Sequence, residues 1–332
     1  MSTLSTPSSV THITQGEKSL VSPACRDSKT VLIFANPIAG RGQSLATAER
    51  LSAALSSAGY CPHLVLTPPL ESALPLAPYH AAIAIGGDGT LRSVVSRLCV
   101  PTAELSPSLT GPFTPPPPIL VIPTGTANLM RQSLDLPRKT EKHALRLLGD
   151  YHIVPRDAAL ANNDLFLIVA GAGLDGHVIH DLSAHRTGPI SYLSYLLPTF
   201  RSVRAWNYPT LCVHIGEKLV FGPAQGMVMV GHVKQHGIGF SFLSRADPTD
   251  RHLDVLAFPC RSFVQGLATL LLAALRRHTT RPGTLYTTTP HPITITSPTP
   301  IPVQIDGEPA GYTPLTVTPF PHQIPFLAPR PG

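Results

Sequence analysis

Through its first 150 residues the chain alternates between short unbroken apolar runs and stretches in which apolar residues recur every three or four positions. Residues 31–35 (VLIFA), 81–85 (AAIAI) and 119–122 (ILVI) are continuous apolar runs, the pattern of strands buried on both faces, and residues 64–67 read as a further strand. Between them, Leu45, Ala48, Leu51, Leu55 and Ala58 fall on one helical face that Gly59 stops, and Leu91, Val94, Val95 and Leu98 form a second. Another helix is expected to begin near Asn128. Strands alternating with helices predict an α/β domain built on a mostly parallel sheet covered on both faces.

After about residue 150 the pattern changes to short runs rich in Thr, Val and Ile, separated by turn residues. The runs at 165–170, 210–215, 226–233, 253–258, 292–297, 303–305 and 315–318 predict an antiparallel β domain, a sandwich or partial barrel. Helical stretches at 190–203 and 262–278 interrupt it. The expected organisation is a Ser/Thr-rich flexible tail (1–28), an α/β domain (29–150) and a β-rich domain (151–330). A Pro-rich surface loop is expected at 101–118.

Charge and composition narrow the function. The formal net charge of +6, with fifteen histidines besides, favours anionic surfaces, membranes included. The basic residues are scattered and aromatics are few, so no nucleic-acid partner is expected. Five widely spaced cysteines without a CxxC pair read as reduced thiols of a cytoplasmic protein. The start of the chain lacks the apolar segment of a secretory signal, and the longest apolar run, 263–275, is too short to span a bilayer. That predicts a soluble protein, or one peripheral at the inner face of the membrane. The same run ends in Arg276-Arg277-His278. It reads either as a core helix whose basic end suits its dipole or as an element that meets anionic lipid. A homodimer is left open.

The chemistry concentrates where strands end. Gly86-Gly87-Asp88-Gly89-Thr90 lies between a buried strand and a helix. Glycines there let backbone approach phosphate oxygens, and the helix amino end offers unpaired N–H groups to an anion. Asp88 adds a carboxylate that can hold Mg²⁺ or accept a proton. Asn36-Pro37-Ile38-Ala39-Gly40-Arg41-Gly42 and Pro123-Thr124-Gly125-Thr126-Ala127-Asn128 follow neighbouring strands on the same sheet edge. Arg41 can pair with a phosphate, and Thr126 and Asn128 can donate to one. Three such turns on one edge predict a nucleotide cradle. Late in the chain, Asp306-Gly307-Glu308 pairs two carboxylates. One of them can serve as the base that a weakly nucleophilic hydroxyl needs. Without context the same segment is a hairpin turn.

Taken with FLIVAGAGLDGHV (166–178) and VQIDGEPAG (303–311), these motifs resemble the diacylglycerol kinase catalytic family, in the bacterial lipid-kinase branch that also includes sphingosine kinases. The resemblance covers about residues 29–330. It implies an α/β nucleotide-binding domain of the NAD kinase/diacylglycerol kinase type, an antiparallel β-sandwich domain, and ATP with Mg²⁺ in the cleft. By the same resemblance Gly86, Gly87, Asp88, Gly89, Thr90, Leu91 and Arg92, with Thr67 and Thr126, contact ATP. Glu308 takes the proton of the lipid hydroxyl, with Asp306 beside it. The implied activity is phosphorylation of a lipid such as diacylglycerol at the membrane surface. A sphingoid base, NAD, or binding without turnover remain alternatives. The resemblance also implies a structural metal in the 247–254 loop, held by the Asp250 side chain with Asp247 and His252 supplying carbonyls. Three positions depart from the family pattern. Arg92-Ser93 stands where Asn-Glu is usual, Leu129 where an Asp often follows the Asn, and Arg251 where the metal loop has Gly.

Two further patterns are set aside. Gly171-Ala172-Gly173-Leu174-Asp175-Gly176 fits GxGxxG, but no acidic residue ends a strand about 20 residues on, as a dinucleotide fingerprint requires. His177 and His180 lack the HExxH or cysteine partners of a metal site.

Overall fold

The structure, a computed structural model, describes residues 29–37, 39–67, 74, 78–99, 115–150, 152–185, 201–234 and 241–330. The expected tail (1–28), most of the Pro-rich loop and most of the helical stretch at 190–203 lie outside the described residues, as does the Arg41 side chain.

The α/β half forms as the apolar runs dictate. Strands β1 (Thr30–Ala35), β2 (Cys61–Leu66), β3 (Ala81–Gly86) and β4 (Ile119–Pro123) are parallel and ordered β2-β1-β3-β4. Every residue of β3 is buried, as a strand sandwiched between helical layers must be. Helix α1 (Gln43–Ser57) follows β1 and α2 (Asp88–Cys99) follows β3; both bury their apolar stripes. The short helices α3 (Leu129–Ser133) and α4 (Ala144–Gly149) follow β4.

The first sheet continues past the boundary expected at residue 150. Strand β5 (His152–Arg156) and the last strand, β17 (Ile324–Ala328), complete it in the order β4-β17-β5, with β17 parallel to β4 and β5 antiparallel to β17. The end of the chain therefore returns to the first domain and staples the two halves together.

The second half is antiparallel throughout. Strands β6 (Ala159–Ala161), β7 (Asp164–Phe166), β8 (Val169–Ala172), β9 (Thr210–Ile215), β10 (Lys218–Gly231), β11 (Leu253–Pro259), β12 (Leu285–Thr289), β13 (Ile293–Thr296), β14 (Pro302–Ile305), β15 (Glu308–Tyr312) and β16 (Leu315–Pro319) form it. Strand β10 is longer than the run at 226–233 suggests. Its first half pairs with β9, with register shifts at Leu219/Phe221 and Phe221/Ala224, and its second half pairs with β8 and β11, so one strand serves both faces of the β domain. Helix α5 (Leu174–Ala184) packs on β14 and β15, and α6 (Phe263–Ala274) lies beyond it. Cys61 is disulfide-bonded, which corrects the expectation of reduced thiols throughout; Cys99, Cys212 and Cys260 are free. No helix among the described residues is long and apolar enough to cross a membrane.

Candidate active site

The three predicted turns meet. A methyl group built on Gly125 would stand 2.8 Å or less from its neighbour, at 2.7 Å from the Gly87 Cα, and one built on Gly40 would meet the Thr124 Cβ at 2.8 Å. Only glycine permits either approach. Gly40 also needs the left-handed backbone, with φ +59°. Hydrogen bonds fix the arrangement. Thr124 N donates to Gly86 O (2.9 Å), Ser44 and Thr124 hydroxyls lie 2.9 Å apart, and Ser44 Oγ donates to Ala39 O (3.1 Å). Asn36 N donates to Ile85 O. Thr90 covers Gly86 closely, and Leu91 anchors α2 in the core. Asn128, itself left-handed, donates from Nδ2 to Gly125 O. Thr126 lies on the same turn.

Thr67 sits at the end of β2, buried, with its backbone N–H on Ala35 O. Its hydroxyl has no hydrogen-bond partner among the described residues, an orphaned polar group beside the cradle.

The acids divide by environment. Asp88 is half-buried, and each of its oxygens accepts a backbone N–H at the start of α3, from Leu129 (2.9 Å) and Met130 (3.1 Å). Burial pushes its pKa up, opposed by those amide bonds and by Arg131. Asp306 stands at a left-handed position in the β14–β15 turn and accepts N–H bonds from Leu167, Ile168 and Val169, each 3.0 Å. Burial raises its pKa to about 6 against the pull of those amides. Both carboxylates thus clamp backbone: Asp88 joins the second turn to the third, and Asp306 fixes the turn that carries Glu308. Glu308 is different. Its side chain is 50% exposed, it pairs with Arg92, and a methyl group on Gly89 would overlap its Oε1. The β domain therefore lays this carboxylate directly over the glycine loop of the other domain. Arg92 also reaches Ile305 O (3.5 Å).

Magnesium finds a poor fit among these acids, because the oxygens of Asp88 and Asp306 are already engaged. Ser93, in the place of the family's Glu, spends its hydroxyl on Gly89 O (3.1 Å). Leu129 is buried apolar where the family often has Asp.

The predicted metal loop is folded on itself. Asp247 Oδ1 accepts from the Thr249 hydroxyl (2.7 Å) and N–H (3.0 Å), and the hydroxyl bond above all holds its pKa low, with help from Lys234 and Arg156. Asp250 Oδ1 accepts from His252 N (2.9 Å), and His232 Nδ1 donates to His252 O (3.0 Å). Arg251, in the place of the family's Gly, is left-handed at φ +63° and donates its N–H to Asp157 Oδ2 (2.7 Å). No group of three or more His, Cys, Asp or Glu side chains able to hold a metal occurs among the described residues.

The two patterns set aside serve packing. Gly176 lets α5 lie against Pro302 O, His177 packs at a tilt on Trp206, and His180 Nε2 lies 2.8 Å from Val303 O. Residue type does not mark Asp88 and Asp306 as backbone clamps: Asp306-Gly307 reads as a plain turn, and Asp88 as one more acid in a glycine run.

Residues 30–161 match the diacylglycerol kinase catalytic domain, and residues 168–328 match the YegS C-terminal NAD kinase beta sandwich-like domain. Over 210 residues the chain is 30% identical to the "Probable lipid kinase YegS-like" protein of Pseudomonas aeruginosa, covering 61% of this chain and 62% of that one. Over 122 residues it is 28% identical to the diacylglycerol kinase of Bacillus subtilis, covering 37% of this chain and 36% of that one. The chain thus spans less than two thirds of the length of these curated relatives. A crystal structure of a diacylglycerol kinase from Bacillus anthracis str. Sterne superposes with a TM-score of 0.64 at 22% identity, covering 91% of this chain and 98% of that one, a likeness of fold.

Proposed function

The chain belongs to the diacylglycerol kinase catalytic-domain family, and from that membership we propose that it is an ATP-dependent lipid kinase, acting on the hydroxyl of a lipid such as diacylglycerol. The observation that carries this reading is the half-exposed Glu308 carboxylate lying over the Gly89 turn, opposite the first N–H groups of α2. A base and an anion-binding backbone face each other across one cleft.

In this reading the turns at 36–42, 86–90 and 123–128 cradle the triphosphate with backbone N–H groups and with the donors Thr126 and Asn128. Thr67 offers its unpartnered hydroxyl beside them. ATP supplies the phosphoryl group. Arg92 leaves Glu308 and turns to phosphate oxygen, a bidentate exchange suited to guanidinium. Glu308, freed, would accept the proton of the lipid hydroxyl as that oxygen forms its bond to the γ-phosphorus and the bond from the γ-phosphorus to the β,γ-bridging oxygen breaks, releasing ADP. Asp306 positions Glu308 through the turn that it anchors, and Asp88 positions the cradle.

The test is incubation of the purified protein with γ-labelled ATP and either a total lipid extract, diacylglycerol, a sphingoid base or NAD. Label in a lipid product supports the reading and names the substrate. Label in the NAD product replaces it. Bound ATP with no labelled product favours a binding module without turnover, the second reading that Ser93 and the engaged Asp88 motivate.

A further inference from the structure

The outward face of α6 is apolar where a surface helix is usually polar. Val264, Leu267, Ala268, Leu271, Ala274 and Leu275 recur at helical spacing, and all are exposed, the four large ones at 71%, 55%, 62% and 60% in that order. The inward face carries Phe263, packed against the core, and the buried Gly266, Thr269 and Ala273. A solvated helix places its polar residues outward. A contiguous apolar strip of this kind marks a surface that meets something else.

Charge chooses the partner. Between Cys260 and Leu285 the chain has four arginines (Arg261, Arg276, Arg277, Arg281) and no acid. Arg261 precedes the helix, Arg276 and Arg277 follow it, and all three are exposed. Ser262 caps the helix by accepting from Gln265 N, so the strip is held on a formed helix. A second copy docked through this face would bring arginine ends against arginine ends. An anionic bilayer offers acyl chains to the strip and phosphates to its ends. Position agrees. Gly266 on the inner face lies beside Leu174, the first residue of α5, and α5 packs on the β14–β15 hairpin that carries Glu308.

We propose that α6 is the membrane-docking element of this protein, lying in the interface of an anionic bilayer with Val264, Leu267, Leu271 and Leu275 among the acyl chains and Arg276 and Arg277 on the headgroups. The choice of a bilayer rests in part on the lipid-kinase reading, whose substrate resides there.

The test is co-sedimentation of the full chain with vesicles of phosphatidylcholine alone or mixed with phosphatidylglycerol, beside a kinase assay on lipid dispersed in detergent. Binding is expected to favour the anionic vesicles. Leu267→Ser with Leu271→Ser should weaken it by about tenfold or more. Arg276→Gln with Arg277→Gln should remove about tenfold of the preference for phosphatidylglycerol. Because these side chains face outward, the melting temperature should stay unchanged, and phosphorylation in detergent should persist. Wild-type protein that ignores both vesicles overturns the proposal, as does a leucine double variant that binds as well as wild type. A dimer that the leucine substitutions split, without vesicle binding, assigns the face to a second copy and also overturns it. Vesicle binding without lipid phosphorylation would keep the docking surface and remove the kinase reading; phosphorylation in detergent without vesicle binding would do the reverse.

Discussion

Arg92, on the first turns of α2, and Glu308, at the start of β15, form an ion pair between the two domains, 216 positions apart in the chain. Glu308 is half-exposed, so solvent screens the pair and its contribution to stability is about 1 kcal/mol at most. Its meaning is positional. The proposed base and the Arg92 guanidinium hold each other in place beside the glycine loop.

Glu308→Gln should lower kcat by about 10²–10⁴-fold, the usual range for loss of a general base, with ATP affinity changed by less than about threefold. Single-turnover kinetics and calorimetric titration with ATP check the two halves separately. Full activity in this variant would remove Glu308 from its role.

Arg92→Ala should act on the other side of the exchange. Loss of a charge-assisted phosphate contact raises the KM for ATP by about tenfold or more, with little effect on melting temperature because the pair is screened. If ATP affinity instead rose, Arg92 would be a latch that opposes nucleotide entry and not a ligand of the phosphates.

Gly125→Ala tests the convergence of the turns. The added methyl meets the Gly87 Cα at 2.7 Å, backbone against backbone, with no flexible side chain to give way. The two turns must separate, at a cost of about 1–3 kcal/mol in stability and about tenfold or more in ATP affinity. Thermal unfolding and titration measure both; an unchanged affinity would mean that the cradle does not depend on this contact.

Arg251→Gly should stabilise the protein. The left-handed backbone at φ +63° costs a non-glycine residue about 1–2 kcal/mol, and the greater freedom of unfolded glycine returns about 0.5–1 kcal/mol of that. A net gain near 0.5–1 kcal/mol follows, because the backbone N–H to Asp157 survives the change. A lower melting temperature would show that the Arg251 side chain contributes more than its backbone strain removes.

The α/β half was legible because its pairings follow chain order: apolar run, glycine turn, amphipathic helix, repeated. That pattern alone brought residues 36–42, 86–90 and 123–128 to one edge. The places of β5 and β17 in the first sheet were hidden, because β17 finds β4 about two hundred residues away and no local signal names that partner. Residue type also failed to separate Glu308 from Asp88 and Asp306. All three are acids in glycine-rich turns, and only the fold decides which carboxylate faces the cleft and which accepts backbone N–H groups. The strip on α6 was ambiguous for a related reason. A helix apolar on most sides reads as buried until its packing is seen, and here Val264, Leu267, Leu271 and Leu275 face out.

Asp306 makes stability depend on pH in a direction opposite to that of a salt-bridged carboxylate. Burial raises its pKa from 3.8 to about 6, so between those values the folded chain binds the proton more tightly than the unfolded chain. Stability from this group is therefore fully present below the unfolded pKa and is lost as pH rises through about 6, a change of about 2–3 kcal/mol. Asp306→Asn removes the titration. It also leaves one oxygen where two served the N–H groups of Leu167, Ile168 and Val169, which costs about 1–3 kcal/mol at neutral pH. The stability gap between wild type and the variant should thus widen as pH falls from about 7 to about 4. Denaturant unfolding of both proteins across that range measures the gap directly. A constant gap would mean that Asp306 is ionised throughout and that its three amide bonds outweigh its burial; a variant as stable as wild type would deny that the carboxylate anchors the turn beneath Glu308.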